Sequence, residues 1–234
     1  EVHTAKLIVG SDGMNSKIRE LSKISYRSWS YNQTAVVTNF KTSINESCIK
    51  QTFTSIGPLA LLPINDREST MIWSIDDDVS YKFLSMSDEE FTNEVVNKFG
   101  EQIGKLEMIS KRQHFPLHHL SAKTFAKKSV FLVGDSAHHI HPLAGLGLNS
   151  GIGDAICLSE LIESNGLENL EELISAYNRK RIPINLGLAA SMEAFKRGFG
   201  QKNIWMKLFR NTAFNIANKI SPLKKKFMEL ATEL

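Results

Sequence analysis

The sequence predicts a mixed α/β (α+β) fold, in which an α/β domain is interrupted by an antiparallel β-sheet insertion and followed by a helical tail. Three observations carry this expectation. Short buried-strand patterns that run straight into glycine turns and helix starts occur twice, at residues 5–10 and 130–133. Between them, residues 33–75 alternate runs rich in Val, Ile, Thr and Phe with Asn, Gly, Pro and Asp, the texture of an antiparallel sheet. Beyond residue 158 the pattern is helical to the end of the sequence.

Taken in order, residues 5–10 (A-K-L-I-V-G) read as a strand with no preceding element to pair with, as in a chain cut from something longer. In G-S-D-G-M-N-S-K-I-R, residues 10–19, Asp12-Gly13 supplies a turn and Ser16 caps a helix. The runs 34–40, 49–56, 59–64 and 70–75 predict a sheet of about four to six strands. Asp76-Asp77-Asp78 reads as the solvated end of a hairpin, since its flanking spacing fails the calcium-loop pattern. Ser87-Asp88-Glu89-Glu90 opens a helix that runs to Phe99. Residues 106–115 form a further strand, ended by Pro116, and His118-His119 is a surface turn. Asn165-Gly166 stops a helix, residues 170–196 form a long helix kinked at Pro183, and residues 203–219 and 223–234 add two more around Ser221-Pro222. The expected parts are thus 1–30, an insertion over 31–116, a return over 117–165 and helices over 166–234. No internal repeat or low-complexity segment interrupts them.

The organising stretch is 129–155, S-V-F-L-V-G-D-S-A-H-H-I-H-P-L-A-G-L-G-L-N-S-G-I-G-D-A. A strand runs into Gly134-Asp135, a loop follows, and a helix opens near Leu148. Glycines at 145, 147, 151 and 153 remove side chains that would keep a flat or charged ligand from the backbone. A helix N-terminus offers free N–H donors to an electron-rich group, and Asp135 sits where open α/β sheets place ligand contacts.

With 42% apolar residues in 234, the chain has enough apolar side chains for a core, as one large domain or two small ones. Its net charge is only +3, yet Lys196, Arg197, Lys202, Lys207, Arg210, Lys219, Lys224, Lys225 and Lys226 follow one another without an intervening acid. That tail favours anionic partners. Cys48 and Cys157 lie in unlike contexts, so no disulfide framework is expected and a reducing compartment fits best. Nothing reads as a signal peptide or reaches the run of about 18 apolar residues that a spanning helix needs.

Two motifs carry a family resemblance. Residues 10–19 resemble the D-G motif of class A flavin monooxygenases, the para-hydroxybenzoate-hydroxylase-like aromatic hydroxylases. G-D-S-A-H at 134–138, with H-P-L-A-G-L-G-L-N at 141–149, resembles their G-D motif. That second string, with Y-N-Q-T-A at 31–35 upstream, is most similar to the ubiquinone-biosynthesis branch, the 2-polyprenyl-6-methoxyphenol hydroxylases. The resemblance spans residues 5–190 and implies a three-layer FAD/NAD(P)-binding domain, incomplete here, around a β-sheet substrate domain. It implies a fragment of an FAD- and NAD(P)H-dependent monooxygenase that hydroxylates the ring of a polyprenyl phenol through a flavin C4a-hydroperoxide. A hydroxylase of a small soluble phenol, or a flavin-free accessory protein on the same fold, are the alternatives.

By the same resemblance Gly134 and Asp135 meet the ribityl chain of FAD, and Gly145, Leu146, Gly147, Leu148 and Asn149 hydrogen-bond the pyrimidine end of the flavin. Pro142 lies beside the flavin ring and the substrate, and Asp12 and Arg19 serve FAD and NAD(P)H. No G-x-G-x-x-G occurs, so weak or no FAD binding is expected of this chain alone, along with an exposed sheet edge that invites self-association. Leu146 stands where the family has Gln, Ser11 for Ala and Gly153 for Arg. Expected partners are the polyprenyl phenol, other ubiquinone-biosynthesis proteins or a second copy, in the cytoplasm or at the inner face of its membrane.

Plainer readings stand beside these. Asp135 is also a plausible strand-end cap, and Asp12 is as readily a turn former as a ligand contact. His138, His139 and His141 have H-H-x-H spacing, but no carboxylate or Cys completes a metal set. His138 and His141 therefore read as loop-structuring and His139 as exposed. In the tail, Phe195, Phe199, Ile204, Trp205, Leu208, Phe209, Phe214 and Ile216 among basic residues suit either an anionic membrane surface or packing on the rest of the chain. No nucleic-acid module is recognisable.

Overall fold

A computed structural model describes residues 3–43, 48–100, 103–142 and 145–200, with side chains as far as 193. The chain divides into two compact units, 1–29 with 118–234, and 30–117. The expected helices over 203–219 and 223–234, and most of the basic apolar tail, lie outside the described residues. Among the described residues no helix is long and apolar enough to cross a membrane.

The first unit holds a short mixed sheet. Strand β1 (Ile8–Gly10) pairs in parallel with β9 (Val130–Leu132), and β8 (Ala126–Lys127) runs antiparallel to β9 on its other side. The apolar run predicts β9 because a strand covered on both faces needs no polar alternation. Phe131 and Leu132 are fully buried, with Tyr177 edge-on to Phe131 at 5.7 Å. Helix α1 (Lys17–Leu21) follows β1, and α4 (Leu146–Asn165) and α5 (Leu170–Gly200) pack beside each other. Their inward residues Cys157, Leu158, Leu161, Leu173 and Tyr177 close the core over the sheet. Helix α4 opens at Leu146, two residues before the expected start, because Gly145 takes a left-handed φ of 65° that lets the loop turn into the helix directly. The expected stop at Gly166 holds, with its N–H on Ile162 O. Pro183 lies within continuous α5.

The second unit is antiparallel. Strands β2 (Tyr26–Thr42), β5 (Glu68–Asp76), β4 (Gly57–Asn65) and β3 (Lys50–Thr54) lie side by side in that order, and β6 (Leu106–Met108) also pairs with β2. The register sets Val36 opposite Trp73 and Phe40 opposite Ser69. Alternation then places Val36, Phe40, Leu59, Met71, Trp73 and Ile75 in one core, covered by helices α2 (Asp77–Ser85) and α3 (Asp88–Phe99) through Phe83, Phe91 and Val95. Helix α3 starts where its capping box predicts. Ser87 Oγ accepts from Glu90 N–H at 3.2 Å, and Ser87 N–H donates to Glu90 Oε2 at 2.8 Å.

Three expectations fail here. Asp76-Asp77-Asp78 is no hairpin end: Asp76 is the N-cap position of α2 and the next two acids fill its first turn, favourable against the helix dipole. The strand over 106–115 is two, β6 and β7 (Gln113–Ala122). Between them Ser110 Oγ accepts from Asn39 N–H, and Arg112 reaches the α2–α3 connection. Pro116 therefore sits inside β7 instead of ending it. His118-His119 is strand, not surface turn, and His119 is 3% exposed with its ring stacked on Trp29 at 3.8 Å.

Candidate flavin site

The site grows from two turns that follow parallel strands. After β1, Asp12 accepts from Ser16 Oγ at 2.5 Å and from Ile18 N–H at 3.1 Å, and Ser16 Oγ caps Arg19 N–H at 2.9 Å. Burial works against the Asp12 carboxylate, but these hydrogen bonds outweigh it and hold its pKa below the ordinary value of 3.8. Arg19 is buried. Its Nη1 donates to Ser136 O at 2.8 Å and its Nη2 to Met14 O at 2.7 Å, with the guanidinium over Tyr26. Ser136 Oγ in turn donates to Gly10 O at 2.5 Å, and Val133 N–H to the same carbonyl at 2.9 Å. The D-G and G-D turns are thereby clasped together, with Arg19 beneath them and Asp12 committed to its own helix start.

After β9, Gly134–Ser136 forms a single 3₁₀ turn, with Gly134 at φ 64°. The turn lies on α4 so closely that a Cβ on Gly151 would stand 3.1 Å from Gly134 Cα. Gly151 thus serves the close helix–turn approach, a role within the protein, since a side chain there would press on the Gly134 backbone, whereas a Cβ at Gly145 or Gly147 would meet nothing within 4 Å. Asp135, whose side chain is 44% exposed, receives His139 Nδ1 at 2.9 Å. That hydrogen bond outweighs partial burial and, with the nearby His138, keeps its carboxyl below the ordinary value of 3.8. At neutral pH Asp135 is an acceptor-only group suited to sugar hydroxyls. His139, expected to be exposed, is a half-buried partner of Asp135.

Helix α4 begins without a side-chain cap, so its first N–H groups lack intrahelical partners. Pro142, Gly145, Leu148 and Asn149 are exposed around that start, Leu146 and Gly147 half-buried. An uncapped helix start, with a turn that carries an ionised carboxylate packed on the same helix at Gly151, fits a polyhydroxylated chain joined to an electron-rich ring. The sequence reading missed the buried group behind it. Asp154 takes Gly134 N–H at 2.9 Å, His138 Nε2 at 2.6 Å and Arg181 Nε at 2.7 Å. Its signal was an acid set among the small and apolar residues of 151–158. No group of His, Cys, Asp and Glu among the described residues is arranged to hold a metal ion.

Residues 1–190 match the family described as FAD binding domain. The chain belongs to that family. Relatives of this chain include ubiquinone hydroxylase UbiL of Rhodospirillum rubrum, 31% identical over 232 residues that cover 97% of this chain and 54% of that protein. The mitochondrial ubiquinone biosynthesis monooxygenase COQ6 of Homo sapiens is 29% identical over 268 residues, covering 97% and 57%. The 3-demethoxyubiquinol 3-hydroxylase of Escherichia coli is 28% identical over 240 residues, covering 100% and 61%. The chain thus spans somewhat more than half the length of these relatives. Among solved structures, p-nitrophenol 4-monooxygenase PnpA of Pseudomonas putida shares the fold, with a TM-score of 0.76 at 17% identity over 97% of this chain and 59% of that one. The resemblance read from the D-G and G-D motifs is borne out at the level of the family and of the mixed α/β fold with its antiparallel sheet.

Proposed function

We propose that this chain carries the flavin-ring half of the FAD site of an NAD(P)H-dependent monooxygenase that hydroxylates the ring of a polyprenyl phenol in ubiquinone biosynthesis. The observation that carries the reading is the juxtaposition made by the Gly134–Gly151 contact, which sets the turn that carries an ionised Asp135 on the same helix whose start is uncapped. The names of the relatives support the substrate class.

In this reading Asp135 accepts the ribityl hydroxyls, and His139 keeps that carboxylate ionised and oriented. The first N–H groups of α4, with Gly147 leaving the approach open, bond the electron-rich edge of the ring. Pro142 lines the same loop from its exposed position. FAD bound there supplies the redox chemistry that transfers one oxygen atom to the phenol. Arg19 acts by holding the two turns together, and Asp12 by fixing the start of α1 in the first of them.

The test uses the natural polypeptide that contains this sequence. A yellow FAD complex whose NAD(P)H oxidation rises with a prenylated phenol is the expected result. Absence of flavin binding sinks the enzyme reading, and stimulation only by small soluble phenols sinks the polyprenyl one.

A further inference from the structure

The buried cluster behind the turn does more than fill space. Asp154 and Ser150 are fully buried, and His138, Asn185 and Arg181 are at most 4% exposed. Asp154 Oδ2 takes both Gly134 N–H and His138, while Oδ1 takes Arg181 Nε. Arg181 Nη2 donates to Ser150 O at 3.1 Å, Ser150 Oγ donates to Asn185 Oδ1 at 2.6 Å, and Asn185 Nδ2 returns to Arg181 O at 3.0 Å. One carboxylate on α4 therefore ties together the G-D turn, strand β10 (His138–His139) and helix α5.

A buried ion pair is poor value as a source of stability, because well-packed apolar residues of the same volume commonly do as well. Apolar residues would not hold a main-chain N–H and an imidazole at set positions. Gly134 N–H is adjacent to Asp135, and His138 is adjacent to the His139 that orients Asp135. Both bonds to Asp154 Oδ2 thus bracket the candidate ligand carboxylate, one on each side in sequence.

We propose that Asp154 is a positioning residue: through Gly134 N–H and His138 it sets the Asp135 turn against α4 at Gly151 and Asp154, with Arg181 holding the carboxylate in place. The identity of the ligand rests on the flavin reading above; the placement of the turn does not. Asp154 touches no ligand itself, since it is wholly buried.

Two readouts on this chain test the proposal: amide hydrogen exchange without ligand, and titration with riboflavin, a probe that needs the ring and ribityl contacts but no adenine site. In Asp154→Asn, amides of residues 134–139 are expected to exchange about tenfold faster, while β9 and α3 keep their protection. Riboflavin affinity is expected to fall about tenfold. Wild-type exchange over 134–139 in a folded Asp154→Asn protein overturns the proposal, as does equal acceleration throughout α4 and α5. Should that variant not fold, His138→Leu and His138→Gln replace it. Leu is expected to loosen 134–139 and weaken riboflavin binding, and Gln, which keeps an N–H donor, to restore both; identical behaviour of the two overturns the proposal. Wild-type chain that binds no riboflavin while the exchange pattern appears supports the positioning role, and the flavin reading is then decided by the natural polypeptide.

Discussion

Two glycines of similar appearance in the sequence have opposite roles. Gly57 has φ 134°, and a Cβ there would lie 1.8 Å from Ser74 O. Gly57→Ala is expected to cost about 3 kcal/mol or more, because strain and a main-chain clash coincide; urea unfolding at neutral pH measures it. Gly147 has no such constraint and open space around it. Gly147→Ala is expected to raise stability by roughly 0.5 to 1 kcal/mol through the unfolded chain, yet to weaken riboflavin binding by obstructing the approach. A variant that is more stable and binds as before contradicts the placement of the ring. His119 supplies a pH test. Burial, with His139 and His138 nearby, pushes its imidazole down to about 4 against the opposing pull of Glu193. The unfolded chain binds that proton near the ordinary 6.5 and the native chain only near 4, so the unfolded state holds more protons in between. Stability is thus complete above about pH 6.5 and falls toward pH 4, by on the order of 2 kcal/mol. His119→Phe, which keeps a ring against Trp29, is expected to flatten that slope in denaturation series at pH 7, 5.5 and 4.5.

At the scale of elements, the α2–α3 corner depends on a side chain from outside both helices. Arg112 Nη1 donates to Phe83 O at 2.9 Å and Nη2 lies 3.1 Å from Asp88, while the guanidinium stands over Phe91 at 4.9 Å. Arg112→Met is expected to lower stability by about 2 kcal/mol, since it leaves a helix C-terminal carbonyl without its partner. A melting temperature equal to wild type would refute this. The same corner shows why some elements were legible and others not. Helix α3 announced itself through Ser87 and Glu90, whose spacing is local. Helix α2 did not, because Asp76, Asp77 and Asp78 serve a turn and a helix start equally well, and nine residues carry little periodicity. The break between β6 and β7 depends on Ser110 meeting Asn39, seventy-one positions earlier, which no local pattern encodes.

At the scale of the whole molecule, strand β1 is an edge of its sheet among the described residues, with Ile8 47% and Val9 45% exposed. On α4, Leu148, Ile152 and Ile156 are 74%, 49% and 51% exposed at four-residue steps. Unpaired edges and apolar stripes promote association, so the isolated chain is expected to self-associate at rising concentration in sedimentation velocity. Val9→Lys with Ile152→Lys is expected to shift it toward monomer; unchanged behaviour would place the contact elsewhere.

What the sequence determined by itself is local or repetitive. The parallel-strand turns, the antiparallel insertion, the capping box and the two flavin motifs each lie within a few residues, where φ/ψ preference and alternation act directly. The tertiary structure decided everything that depends on burial and distance in the chain. It placed Arg19 under the turns and removed His119 from the surface. It also brought Asp154, His138 and Arg181 into one buried contact. Such a contact forms only when strand, turn and two helices close over the same core, and an isolated carboxylate in a sequence carries no mark of the charges that will surround it.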